Sequence, residues 1–110
     1  MAIKATFIQN GNIIDYPATT EVGYGEVVTL GNTIGVAAER IKAGETGGVR
    51  LTGVFEMPTA AEAISIGDKL YYDAVNTCVT KTAGSLTCIA GIAVSAKATT
   101  TAGKVLCRIG

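Results

Sequence analysis

Hydrophobic and polar positions alternate with a period of two along much of the chain. The clearest run is 47–58, where Val49, Leu51, Phe55 and Met57 fall on one parity and Arg50, Thr52 and Glu56 on the other. Such alternation turns one row of side chains into a core and the other toward water, as in a half-buried strand. The run predicts one strand. Gly53 marks a bulge, a bend or a close backbone approach within it, and Pro58 ends it because proline cannot donate to a ladder. Shorter strands are predicted at 13–16, 26–30, 33–38, 68–72, 77–80, 86–95 and 103–109, separated mostly by Gly, Pro and Asn turn residues. In the segment 86–95 the shared face is Leu86, Cys88, Ala90, Ile92 and Val94; in 103–109 it is Val105, Cys107 and Ile109. The only helix-like run is 59–64, at most a single turn with Thr59 as N-cap and Glu62 completing a capping box. Alone it is too short to be a stable helix.

The same pattern occurs twice. Gly35-Val36-Ala37 matches Gly91-Ile92-Ala93, and Gly47-x-Val49 matches Gly103-x-Val105, both 56 residues on; Gly25-Glu26-Val27-Val28 matches Gly67-Asp68-Lys69-Leu70 at an offset of 42. The difference in offset is absorbed by a longer hairpin between Asp73 and Ser85. Repeats that keep their order and parity imply two copies of one supersecondary plan. The expected fold is all-β, a small sandwich or barrel with two pseudo-repeated halves. Residues 1–11, which lack a turn until Asn10-Gly11-Asn12, form an arm, and 12–110 form one domain. The repeat places the central and C-terminal strands in equivalent positions, with Val54 and Leu106 on their outward parity. Apolar residues there suggest burial, either by the chain's own loops or by another subunit.

Composition narrows the function more than it defines it. Ile, Val and Thr far outnumber Leu, tryptophan is absent and Gly is frequent, all in keeping with short strands and a modest core. Nine basic and nine acidic residues cancel without clustering, which argues against nucleic acid as a partner. The N-terminal apolar run is too short for a signal peptide and no span of about 20 apolar residues could cross a bilayer, so a soluble protein made in the cytoplasm, without a membrane partner, is expected. Cys78, Cys88 and Cys107 lack metal-site spacing and read as buried reduced thiols, although Cys78 and Cys88 fall close enough across a hairpin to leave a bond open.

No catalytic set emerges. Histidine is absent. Asp15, Glu26, Glu56, Asp68 and Asp73 are each explained by turns or outward parity, and Ser65, Ser85 and Ser95 lie outside any nucleophile elbow. The glycine-rich 43–48 lacks the Gly-Lys-Ser/Thr and the following helix of a phosphate loop. Tyr16, Tyr24, Tyr71 and Tyr72 lack the basic surroundings of a nucleotide-stacking platform and suit a partial core or a subunit contact better. Neither a cofactor nor a metal site is expected. The arm residues Ala2, Ile3, Lys4, Ala5, Thr6, Phe7, Ile8 and Gln9 read either as frayed or as a segment that adds to a partner's sheet edge.

The order of motifs resembles one family. Asn12-Ile13-Ile14-Asp15-Tyr16, Gly25-Glu26-Val27-Val28, Ile34-Gly35-Val36-Ala37, Gly53-Val54-Phe55-Glu56-Met57-Pro58, Gly67-Asp68-Lys69-Leu70-Tyr71-Tyr72-Asp73 and the closing Val105-Leu106-Cys107-Arg108-Ile109 are similar to the DUF2190 family of tailed-phage proteins. The resemblance implies a capsid decoration, or cement, protein. Such a protein binds the outer surface of a phage or prophage head, commonly as a homotrimer, with the major capsid protein as its partner, and carries no catalytic residues. It further implies that residues 2–9 contact the capsid; with a homotrimer implied, Val54 and Leu106, apolar on their outward parity, are the candidate subunit-interface positions. An older recombinase label carried by some members finds no support, because the chain has no Walker motif. A non-catalytic β-barrel module that binds a ligand or peptide, with a pocket at Tyr71 and Tyr72, is the alternative reading.

Overall fold

The computed structural model describes residues 2–110. Nine strands follow in order: β1 (Ile13–Pro17), β2 (Val27–Leu30), β3 (Thr33–Ala37), β4 (Thr46–Arg50), β5 (Gly53–Thr59), β6 (Lys69–Asp73), β7 (Cys78–Thr80), β8 (Ile89–Ala93) and β9 (Gly103–Ile109). They form one mixed sheet and, among the described residues, no helix. The expected all-β class holds.

The run 47–58 is two strands. β4 pairs with β1 and β3, the chain breaks at Leu51 and Thr52, and β5 then pairs with β9 and β7. The bend is at Gly53, whose φ of 136° favours glycine. Alternation continues across the break, with Val49 and Met57 buried and Arg50 and Glu56 exposed, so parity alone conceals the change of partners. Pro58 does not end β5, which runs on to Thr59 opposite Gly103. Its missing N–H lies on the side away from β9, where a ladder loses nothing. Nor does a capping box form. Thr59 is a buried strand residue whose Oγ1 accepts from Gly103 N–H at 3.3 Å, and the chain after it stays extended or bent.

Backbone hydrogen bonds establish the repeat. Gly25 N–H donates to Ala37 O at 2.9 Å and Gly67 N–H to Ala93 O at 2.8 Å; Ala37 N–H donates to Glu26 O and Ala93 N–H to Asp68 O, both at 2.9 Å. The isolated bridges Val22↔Ile41 and Ile64↔Lys97 are likewise equivalent. In the last strand of each half the offset differs from the sequence match. Ala37 faces Val49 and Ala93 faces Cys107, so the counterparts are 58 residues apart and not 56. The ladders also add an earlier strand to each half. β1 on β4 corresponds to β5 on β9, which aligns Ile13-Ile14-Asp15-Tyr16-Pro17 with Val54-Phe55-Glu56-Met57-Pro58.

In the second half β8, β6, β7, β5 and β9 pair in turn and β9 returns to β8, which closes a five-stranded barrel. In the first half β1, β4, β3 and β2 pair in turn without closing, and the two halves join through the parallel bridge Thr33↔Ile89. Each half has its own core. Met57, Ile64, Leu70, Val79, Val105, Cys107 and Ile109 build the larger cluster with Ile34 and Val36 of β3, while Ala18, Val22, Val28, Ala37, Ile41 and Val49 build the smaller. β3 is therefore buried on both faces. In β8 the predicted face breaks down, since Ala90 and Ala93 are both buried; a register shift at Leu70/Tyr71 and the φ of 155° at Gly91 change the phase between them.

Candidate interaction surface

Residues 2–9 belong to no strand and all are exposed, with Ile3 at 98% and Phe7 at 81%. Solvated apolar side chains on an extended segment gain free energy when a partner covers them, by roughly 25 cal/mol per Å² of apolar surface. Val54 and Leu106 are also exposed, at 55% and 40%. They do not occupy equivalent strands. They lie on the paired strands β5 and β9, where Val54 faces Arg108 and Leu106 faces Glu56, so the two residues are diagonal neighbours on one outer face. The true counterpart of Val54 is Ile13, also exposed, and that of Leu106 is Gly48. A charged fringe borders the pair, including Glu56 and Lys104 at 3.8 Å. Leu106 is held in place from the neighbouring segment: its N–H donates to Ser95 Oγ at 2.9 Å and its carbonyl accepts from Val94 N–H at 2.8 Å.

Three further apolar residues are exposed: Tyr24, already read as a core or subunit-contact position, and Ile66 and Val75, which were not singled out in the sequence. Tyr24 and Ile66 occupy the same position in the two repeats, each one residue before a turn glycine, and Val75 tips the β6–β7 hairpin. An apolar residue inside a predicted turn, as in Gly23-Tyr24-Gly25 and Ser65-Ile66-Gly67, was the available signal. The hairpin at Val75 is tied by Asp73, whose carboxylate accepts from Val75 N–H, Asn76 N–H and Asn76 Nδ2. Those bonds, led by the Asn76 side chain, hold its pKa below the ordinary carboxylate range.

Among the described residues every buried side-chain polar atom has a hydrogen-bond partner. Glu62 reaches across to β7, accepting from Thr80 Oγ1 at 2.6 Å, Lys81 N–H at 2.6 Å and Thr82 Oγ1 at 3.0 Å. Burial pushes its titration up, but these donors outweigh burial and hold it below the usual value. Lys97 Nζ donates to the carbonyls of Glu62, Thr99 and Thr101 at 2.6, 2.8 and 2.5 Å, which fixes the loop before β9. Cys78, Cys88 and Cys107 are free thiols, as expected, and Cys88, which is only partly buried, donates to Thr33 O at 3.4 Å. Burial raises all three, Cys107 to about 11, so none is an activated thiolate. Among the described residues no group of His, Cys, Asp and Glu could hold a metal, and no helix is long and apolar enough to cross a membrane.

Tyr71 and Tyr72 do not build a platform. Tyr72 packs against the larger core, and Tyr71 lies under Lys69 Nζ, 5.5 Å from its ring centre. The grooves beside the β6–β7 hairpin are open and lined mainly by small and uncharged residues such as Ala60, Thr80, Gly84 and Ala102. What the surface offers is apolar side chains on an arm outside the sheet, on strand faces and on turns.

No curated protein and no solved structure matches the chain. A protein family does, over residues 8–109, and this span takes in both repeats and the end of the arm. That family is described as phage cement protein, in agreement with the motif resemblance, and the chain belongs to it.

Proposed function

We propose that this cement protein acts as a homotrimer on the outer surface of a phage head, where it bridges neighbouring subunits of the major capsid protein and opposes the pressure of packaged DNA. The observation that carries this reading is the arm of residues 2–9, which lies outside the sheet and leaves Ile3, Phe7 and Ile8 exposed, on a body in which no buried side-chain polar atom among the described residues lacks a partner. In this reading the arm contacts the capsid, and Val54 and Leu106 lie at the subunit interface. A trimer presents three arms at once, so weak single contacts combine through effective concentration. The role is mechanical and not catalytic.

The test is co-sedimentation with undecorated heads, followed by heating the decorated heads. The intact chain should pellet with the heads and raise the temperature at which they release DNA. Removal of residues 2–9 should abolish pelleting without unfolding the body; undiminished binding by that variant contradicts the arm's role. Val54→Asp and Leu106→Asp should change chain stability by no more than about 0.5 kcal/mol, as is usual for surface positions, while lowering the mass in solution.

A further inference from the structure

The two halves of the sheet differ by one strand. In the second half β7 lies between β6 and β5: Tyr71, Tyr72 and Asp73 pair with Thr80, Val79 and Cys78 in antiparallel fashion, and Thr59 pairs with Val79 in parallel. The parallel bridge is made by Ala60 N–H, which donates to Val79 O at 3.0 Å. All three residues of β7 are buried. In the first half the corresponding strands are β2 and β1, and among the described residues β2 pairs only with β3 and β1 only with β4. The chain has no residues to fill this place, because β2 turns into β3 through Gly31 and Asn32 alone.

The vacant edges have identifiable groups. Leu30↔Thr33 closes the two-residue turn, so Thr29, one residue earlier, turns its N–H and C=O away from β3. By the repeat alignment Thr29 is the counterpart of Tyr71, and Thr19 is the counterpart of Ala60. Beneath them the smaller core has only partial cover, from half-buried Ile14, Tyr16 and Leu30. In the other half Val79 completes that cover.

The unpaired segment of the same chain is the arm. It cannot fill its own slot in the manner of β7, because that place runs parallel to β1. An arm folding back from Asn12 would run antiparallel to β1. A second copy has no such constraint. Residues 2–11, extended, span at most about 33 Å, against a thinnest dimension of 24 Å for the whole chain. Ile3, Ala5 and Phe7 share one parity, as an added strand that turns one row of side chains to the core requires.

We propose that the arm of one copy enters the β1/β2 slot of the next as an added strand, antiparallel to β2 and parallel to β1. Cyclic exchange of three arms closes the ring, and each arm then presents its other parity, Lys4, Thr6 and Ile8, from a fixed position. This deepens the proposed function, on which it rests for the arm's outward contact: the capsid meets an arm that is already ordered, so binding loses less entropy.

The experiment is hydrogen exchange at the Thr19 and Thr29 amides, with solution mass recorded in parallel. The full chain, the chain lacking residues 2–9, and Thr29→Pro beside Thr29→Val are compared. The full chain should be a trimer with both amides slowed. Arm removal should speed them by about tenfold or more and release monomers, and a peptide of residues 2–9 should slow them again. Thr29→Pro removes the slot's donor without touching the arm, and should lower the mass where Thr29→Val does not. Equal exchange with and without the arm overturns the proposal. So does fast exchange in free protein that slows only on heads, since the occupant is then a strand of the shell. If arm removal abolishes head binding while mass and exchange stay unchanged, the cement reading stands and the exchanged strand is lost.

Discussion

Strands β1 to β4 and strands β5 to β9 repeat one plan, and a single inserted strand makes the second a closed barrel and leaves the first an open sheet. The difference is visible in the cores. At matched positions Met57 and Leu70 of the closed half are buried more completely than their counterparts Tyr16, which is half-buried, and Val28, whereas Phe55 and Ile14 are both half-buried and Cys107 and Val49 both fully buried. Closure removes sheet edges, and an open sheet retains them as places for another chain. In the proposed arrangement the duplicated unit divides the labour of the protein, the closed half providing stability and the open half receiving another chain.

Glycine substitutions at the paired strand crossings should separate the halves most sharply. A Cβ on Gly91 would collide with the carbonyl of Arg108, which is backbone and cannot swing away; at the equivalent Gly35 the nearest atom is a methyl of Val49. Gly91→Ala should therefore cost more than about 3 kcal/mol or prevent folding, and Gly35→Ala about 1–3 kcal/mol, in denaturant unfolding. Next in size, Leu70→Ala should cost about 2–5 kcal/mol and its counterpart Val28→Ala distinctly less, because the open core is shallower. Equal losses would erase the distinction between the two cores.

Smaller effects test how each half holds its loops. Lys97 and Ile41 are equivalent, yet one binds three carbonyls and the other packs under Gly47. Lys97→Met should cost about 1–3 kcal/mol and accelerate amide exchange in 98–102. Glu62→Gln should cost about 1 kcal/mol at neutral pH. Because the folded carboxylate titrates below its ordinary value, its contribution is present above that value and disappears as pH falls through the folded one. Wild type and variant should therefore converge in stability in strong acid; a constant gap would assign the loss to shape alone.

Much of this organisation was legible in the sequence. Period-two alternation located most of the strands, and glycine-led matches exposed the duplication. What escaped has physical causes. A strand can change partners without changing parity, so the break at Leu51 and Thr52 left no mark on the alternation. Proline whose missing N–H faces away from the antiparallel partner looks like a terminator, which hid the equivalence of Pro17 and Pro58 and, with it, the pairing of Val54 with Arg108. β7 is three residues long and buried throughout, so it has no alternation to read, although it decides which half closes.

The central claim is that the two halves differ in closure and hence in local stability. Residue-resolved hydrogen exchange on the chain lacking residues 2–9, held monomeric by dilution, tests it most directly. Amides of β6, β8 and β9 should exchange only through global unfolding, while those of β1 and β2 should exchange through an opening of lower free energy. A common slow rate across all of these strands would contradict the account.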